Sequence, residues 1–262
     1  MISAFIDALG RGTLIFCDRL GGFVLFFINA VITLFTTRLK LRQLFLQMYD
    51  IGIGSLSIVF LTGSFTGLAF AYQSYIGFSR VGTEEFIGLV VTLGMARELG
   101  PVLTALVVTG RCGSAMAAEL GSMRITEQID AIKTLGIDPY QYLIVPRILA
   151  STIIFPFLTI FAMICGIVGG YLLCVYSLHL SPETYTKIIQ ERVELSDVVN
   201  GLIKAAFFGL FFSWVGTFQG FMTSGGSQGV GRATTKSVVL GSIIILISNY
   251  FLTSLLFQMG IA

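Results

Sequence analysis

The residues best suited to chemistry in this chain stand where a charge is least welcome. In VTLGMARELGPVLTALVV, residues 91–108, Arg97 and Glu98 interrupt a segment otherwise apolar enough to be buried in lipid. A charge at the bilayer centre costs at least about 2.5 to 3.5 kcal/mol on insertion scales, so it faces protein or a water-filled interior and marks a functional site by default. Adjacent residues on a helix point about 100° apart, so these two do not face each other. Pro101 lacks an amide hydrogen and frees the carbonyl of Arg97 from its helical bond, while Gly100 eases a local bend. The stretch reads as a broken point in a helix, at mid-membrane depth, holding two opposite charges and an unpaired carbonyl. A structural ion pair reaching another helix is the alternative.

A second cation lies in VNGLIKAAFFGLFF, where Lys204 is inside the start of a later apolar segment and is expected somewhat above Arg97. Two cations and one anion around a cavity suit an anionic amphiphile such as a phospholipid headgroup. Snorkelling of Lys204 to the outer surface competes with that reading. Tyr72, Gln73 and Tyr75 end the first long apolar segment with amphipathic groups. Such residues form an interfacial belt, or line the mouth of a lipid-sized cavity.

Other chemistries lack their residues. GGSQGVGRA, residues 225–233, has Gly226 and Gly231 at the spacing of a phosphate-binding loop, but Arg232 and Ala233 stand where Lys and Ser or Thr are required. It reads as a flexible cytoplasmic loop, and any ATP hydrolysis then belongs to another chain. Cys17, Cys112, Cys165 and Cys174 form no CxxC pair and His179 is the sole histidine, so neither a metal site nor a disulfide framework is expected. Glu98 has no histidine or second carboxylate beside it for intramembrane hydrolysis, so an enzyme is not expected. No basic stripe with interleaved aromatics suggests a nucleic-acid surface.

The elements that carry these residues follow from hydropathy. The chain has 262 residues, 55% hydrophobic and 11% charged, with mean hydropathy +0.89, whereas soluble domains carry charge on about a quarter of their residues. A spanning helix needs about 20 mainly apolar residues. Stretches at 51–78, 86–108, within 148–176, within 202–222 and at 238–259 meet that need, the second only if its charges are tolerated. The expected fold is an all-α integral membrane protein of five transmembrane helices, with residues 1–48 forming interfacial and connecting helices and 49–262 the membrane domain. The apolar run at 21–35 is too short to span, and the amphipathic segment with Arg38, Lys40 and Arg42 is expected to connect along the cytoplasmic surface. The N-terminus loosely imitates a signal peptide but no small-x-small site follows, so it is expected to be retained.

Lys and Arg set the orientation. Arg11, Arg19, Arg38, Lys40 and Arg42 precede the first span, Arg111, Arg124, Lys133 and Arg147 lie between the second and third, and Arg232 and Lys236 precede the fifth. By the positive-inside rule the N-terminus is cytoplasmic and the C-terminus faces outward. In the long cytoplasmic connection, Ile125, Ile129, Ile132 and Leu135 share one helical face while Glu127, Asp130 and Lys133 project elsewhere. A short amphipathic helix there suits a soluble partner's grip, or lies on headgroups.

The segment ARELGPVLTALVVTGRCGSAMAAELGSMRITEQIDAIKTLGIDP, residues 96–139, strongly resembles the permease subunit of Mla-type ABC transporters, which move phospholipids between bacterial inner and outer membranes. LQMYDIGIGSLSIVFLTGSFTGLAFAYQSY and SQGVGRATTKSVV are similar to other parts of that family, so the resemblance covers nearly the whole chain. It implies a homodimer of five-span permeases in the bacterial inner membrane, cytoplasmic ATPase subunits that bind ATP and magnesium below it, and a periplasmic ring of MCE-domain subunits above. It implies further that Arg97, Glu98 and Leu99 line a lipid cavity at the dimer centre, that Lys204 lies near its mouth, and that Tyr75 matches a tyrosine of the first span. A coupling helix at about 117–136 is implied to fit a cleft in the ATPase, with Glu119, Met123, Arg124, Glu127, Gln128 and Asp130 as its contacts. Cys112, Met116 and the serine of QSY depart from residues common in the family. An ion- or proton-coupled carrier titrating at Glu98 is the alternative function, although no internal repeat of the kind many carriers show is detectable.

Overall fold

The computed structural model describes residues 2–260, without the side chains of residues 2–12, Ile15, Phe16, Arg19 and Thr184. The charges read at Arg11 and Arg19, and the outermost limits of the two expected regions at Met1 and Ala262, therefore lie outside what is described. The regular elements of the described residues are all helices, eight of them, numbered here α1 to α8.

Five helices are long and apolar enough to cross a membrane: α2 (Leu41–Ser79), α3 (Glu84–Ile125), α5 (Tyr140–Ser177), α7 (Leu195–Phe221) and α8 (Gly226–Gln258). In lipid only helices or closed barrels satisfy every backbone polar group, which is why such apolar runs fold this way. The N-terminal α1 (Ile2–Thr36) is one helix whose apolar part, Leu20–Thr36, is too short to join that set. Two short helices complete the fold, α4 (Gln128–Thr134) between α3 and α5, and α6 (Pro182–Arg192) between α5 and α7.

Helix α7 is the most enclosed of the spans, whereas α2 and α8 turn broad apolar faces outward, among them Phe60, Phe65, Ile247 and Phe251. The tightest pairing joins α2 to α5. A Cβ on Gly67 would overlap the backbone of Gly166, so small residues let two helix backbones touch, the usual device where lipid supplies no hydrophobic drive. Helix α1 docks on α7 through aromatics: Phe23 stacks on Trp214 with centroids 4.1 Å apart, and Trp214 Nε1 donates to Phe23 O at 3.3 Å.

Three segments differ from the sequence expectation. The basic stretch after residue 40 is not a separate surface helix, because α2 runs unbroken from Leu41 through residue 49 to Ser79; no proline or glycine turn lies there to stop it. The glycine-rich stretch 225–233 is not a loop. Gly225 and Gly226 take positive φ of 88° and 68°, turning the chain, and α8 begins at Gly226 with Arg232 and Lys236 already helical. The long cytoplasmic connection is mostly helix too, since α3 continues to Ile125.

Candidate functional site

Helix α3 crosses the expected break without stopping. It widens into a π-turn over Met95–Leu99, where the N–H of Gly100 bonds to Met95 O. A proline one turn later removes one donor, and a π-turn is the common accommodation at functional sites. A Cβ at Gly100 would overlap that same Met95 carbonyl, so the residue before Pro101 has to be glycine.

The carbonyl released by Pro101 is taken by Lys204, whose Nζ donates to Arg97 O at 3.0 Å and to Glu98 Oε1 at 2.6 Å. Lys204 is 0% exposed. It therefore neither snorkels to the surface nor stands at a cavity mouth; it is a buried counterion behind the RELGP turn. Gly201, one turn earlier on α7, brings the helix this close, because a Cβ there would overlap Ala96 O.

Glu98 is held on three sides. Besides Lys204, Asn249 Nδ2 donates to Oε2 at 2.9 Å and Thr253 Oγ1 lies 3.1 Å from Oε1, both on α8. Arg97, about 100° round the helix from Glu98, forms an ion pair with Asp197, seven residues before Lys204 on the same face of α7, Nε donating to Oδ1 at 2.6 Å. Asp197 is locked in turn, its other oxygen accepting the N–H of Glu194 at 2.9 Å in a capping box that starts α7. The formal charges of Arg97, Glu98, Asp197 and Lys204 cancel.

The two pairs are lopsided in exposure. The side chains of Asp197 and Lys204 are 2% and 0% exposed, those of Arg97 and Glu98 38% and 40%. Each RELGP charge thus has a buried partner behind it and an open face in front, on the outside of the single protomer. Leu99 is half-buried against Met95 and the α3–α6 contact, and it borders a narrow crevice between α2 and α3 with Thr62, Thr66 and Thr104.

The remaining expected lipid-facing residues do not join this cluster. Tyr72 and Gln73 are exposed on α2, and Tyr75 is half-buried against the group containing Ala71, Ile87 and Tyr185. A recess of about 550 Å³ between the α2–α3 turn and α6 is lined by Glu84, Glu85, Ser181 and Tyr185, without any of the expected lipid residues.

The expected coupling helix is two pieces. Glu119, Met123 and Arg124 lie in the last turns of α3, Glu127 takes positive φ of 59° at the corner, and Gln128 and Asp130 lie on α4. Ile129 is buried and Ile132 half-buried, but Leu135 is 75% exposed, because α4 ends at Thr134 and Leu135 leaves the shared face. Arg124 clamps the corner by donating to Asp130 at 2.8 Å, with Lys133 3.6 Å from the same carboxylate. Glu119 pairs at 3.0 Å with Arg147, a buried arginine on α5 that also donates to Leu143 O. Glu127, Gln128 and Asp130 remain exposed.

Sequence reasoning missed Asp197, Asn249 and Thr253. For Asp197 the signal is the capping-box spacing of Glu194 and Asp197 at a helix start. Asn249 and Thr253 were legible as polar residues four apart in the last span, facing one side.

The fold and the braced charges define a multi-pass α-helical membrane protein with ionisable residues held inside its spans, the mark of a functional site. Comparison makes this specific. Residues 44–255 match the family described as Permease MlaE. A probable ABC transporter permease of Rickettsia typhi is 42% identical, with 98% of this chain and 100% of the relative covered. The intermembrane phospholipid transport system permease protein MlaE of Haemophilus influenzae is 37% identical over 99% and 100%. The chloroplastic protein trigalactosyldiacylglycerol 1 of Arabidopsis thaliana is 37% identical over 88% and 66%. The chain belongs to the MlaE permease family.

Proposed function

We propose that this chain is the permease subunit of an ABC transporter that moves phospholipid between the bacterial inner membrane and the periplasmic side, maintaining the lipid asymmetry of the outer membrane. The observation that carries the reading is the end-to-end similarity to the Haemophilus phospholipid permease, with the RELGP turn intact. Two copies associate so that the open faces of Arg97, Glu98 and Leu99 meet in a shared cavity. That arrangement accounts for charges braced from behind yet exposed on the outside of one protomer.

Orientation follows the basic residues: the corner between α3 and α5 is cytoplasmic, and the ends of α7 and α8 nearest Asp197 and Thr253 are periplasmic. ATP and magnesium are bound by partner ATPase subunits gripping Glu127, Gln128, Asp130 and Leu135. A ring of MCE-domain subunits receives lipid above. Nothing in the comparisons supports an ion- or proton-coupled carrier, and the carboxylate it needs is taken by Lys204, Asn249 and Thr253.

The test is to co-express the chain with its neighbouring subunits, purify it in mild detergent and identify bound polypeptides and lipids by mass spectrometry. Two permease copies with an ATPase and retained phospholipid, and ATP-dependent transfer of a fluorescent phospholipid after reconstitution, are expected. A folded lone protein that holds neither ATPase nor lipid overturns the proposal.

A further inference from the structure

Headgroup preference follows from how the four charges are arranged. This step rests on the proposal that the RELGP site handles phospholipid. Arg97 and Glu98 each present an open face, side by side on one π-turn, while their counterions are sealed behind them. Arg97 spends Nε and Nη2 on Asp197, and among the described residues Nη1 makes no hydrogen bond. That leaves one donor edge free for a phosphate oxygen. Glu98 receives only donors, from Lys204, Asn249 and Thr253, and its exposed carboxylate edge accepts one more.

The cluster is electroneutral before any lipid arrives. An anionic headgroup brings a net negative charge to a partly desolvated site whose cations are already matched, whereas a headgroup carrying both signs brings none. A second copy adds the same four groups, so neutrality survives dimerisation. Glu194, one turn before Asp197, is exposed and caps a helix N-terminus, which offsets its charge.

We infer that the phospholipid taken at this site carries a zwitterionic headgroup with a primary ammonium, its phosphate on Arg97 Nη1 and its ammonium on Glu98. The ammonium supplies the donor that the Glu98 edge accepts and that a choline group lacks.

The experiment places the assembled complex in nanodiscs of equal parts phosphatidylethanolamine and phosphatidylglycerol, extracts it gently and reads the retained headgroup ratio by native mass spectrometry. Wild type is expected to retain phosphatidylethanolamine in excess of the bulk ratio. Glu98→Gln makes the site net positive and is expected to shift the ratio toward phosphatidylglycerol by at least about tenfold, the direction set by the unit positive charge the site gains. A wild type at the bulk ratio or enriched in phosphatidylglycerol overturns the headgroup inference while leaving phospholipid transport standing. Retention of no phospholipid overturns the reading beneath it. If Glu98→Gln does not fold, wild type in a disc of equal parts phosphatidylethanolamine and phosphatidylcholine decides instead: enrichment of the primary amine supports the inference and parity overturns it.

Discussion

Replacing Lys204 with Met keeps the length of the side chain and deletes the charge that joins α7 to the π-turn of α3. Removing one partner of a buried ion pair destabilises by about 3 to 5 kcal/mol. Glu98 is 40% exposed here and keeps Asn249 and Thr253, so solvent and the remaining donors recover part of its loss. The carbonyl of Arg97, with no helical donor because of Pro101, is orphaned outright, and a buried acceptor without a partner costs about 1 to 3 kcal/mol. The net effect of Lys204→Met is about 2 to 3 kcal/mol of stability. Thermal unfolding of the purified complex, at roughly 2 to 4 °C per kcal/mol for a chain of this size, then falls by about 4 to 12 °C. Glu98→Gln combined with Lys204→Met leaves neither charge alone, so the double variant is more stable than the summed singles by about 1 kcal/mol. A single variant that melts within about 1 °C of wild type, or strict additivity of the two, refutes the account of Lys204 as a buried brace.

Gly201→Val forces a side chain into the carbonyl of Ala96 and is expected to lower the yield of folded protein on size-exclusion chromatography, an overpacking loss of about 1 to 3 kcal/mol or more. Ile129→Ala empties the only fully buried position of α4 among its described residues; it leaves lipid retained but reduces ATPase stimulation in the co-purified complex. Trp214→Ala removes the stack on Phe23 and the bond to its carbonyl, and limited proteolysis should then cut within α1 faster while the spans stay protected. Tyr185 lies in α6, outside the spans, and burial pushes its phenol well above the usual range. Its folded form holds the proton more tightly than the unfolded chain, so stability is flat below about pH 10 and falls above it as the unfolded phenol ionises. Tyr185→Phe removes a buried hydroxyl that has no partner and abolishes that contribution to the alkaline loss; an unchanged slope between pH 9 and pH 11, about one unit either side of the free phenol, counts against it.

The spans were legible because hydropathy over about 20 residues is a signal that tertiary context rarely overrides in lipid. Helix ends were less so. Arg38, Lys40 and Arg42 suggested a surface helix, yet charge density says where a helix leaves the hydrocarbon, not where its backbone bonds stop, and α2 carries its helical bonding straight through that boundary. The glycines at 225–226 read as a loop, but only the two with positive φ act as one. From Ser227 the same glycine-rich composition is helical, anchored by Gly229 against Thr223 and Ser224 and by the long apolar run that follows. At the α3–α5 corner, Ile125, Ile129, Ile132 and Leu135 fit one helical stripe on paper. A residue in the left-handed region at Glu127 breaks the stripe, and nothing in the spacing of the four aliphatics reports it.

The site shows the same division between what local rules reveal and what only packing reveals. Pro101 predicts a freed carbonyl at Arg97 from covalent structure alone, and a buried lysine answers it. That the lysine is Lys204 requires α7 to approach at Gly201, a fact about helix pairing that one sequence does not carry. The same pairing decides which reading of the charges survives. Arg97 and Glu98 are structural ion pairs on their inner sides and open groups on their outer sides, so the structural and functional readings of the RELGP turn are not rivals. Bracing each charge with a buried opposite charge lowers the penalty of holding it inside the membrane and fixes its direction. A turn built this way trades net charge for orientation.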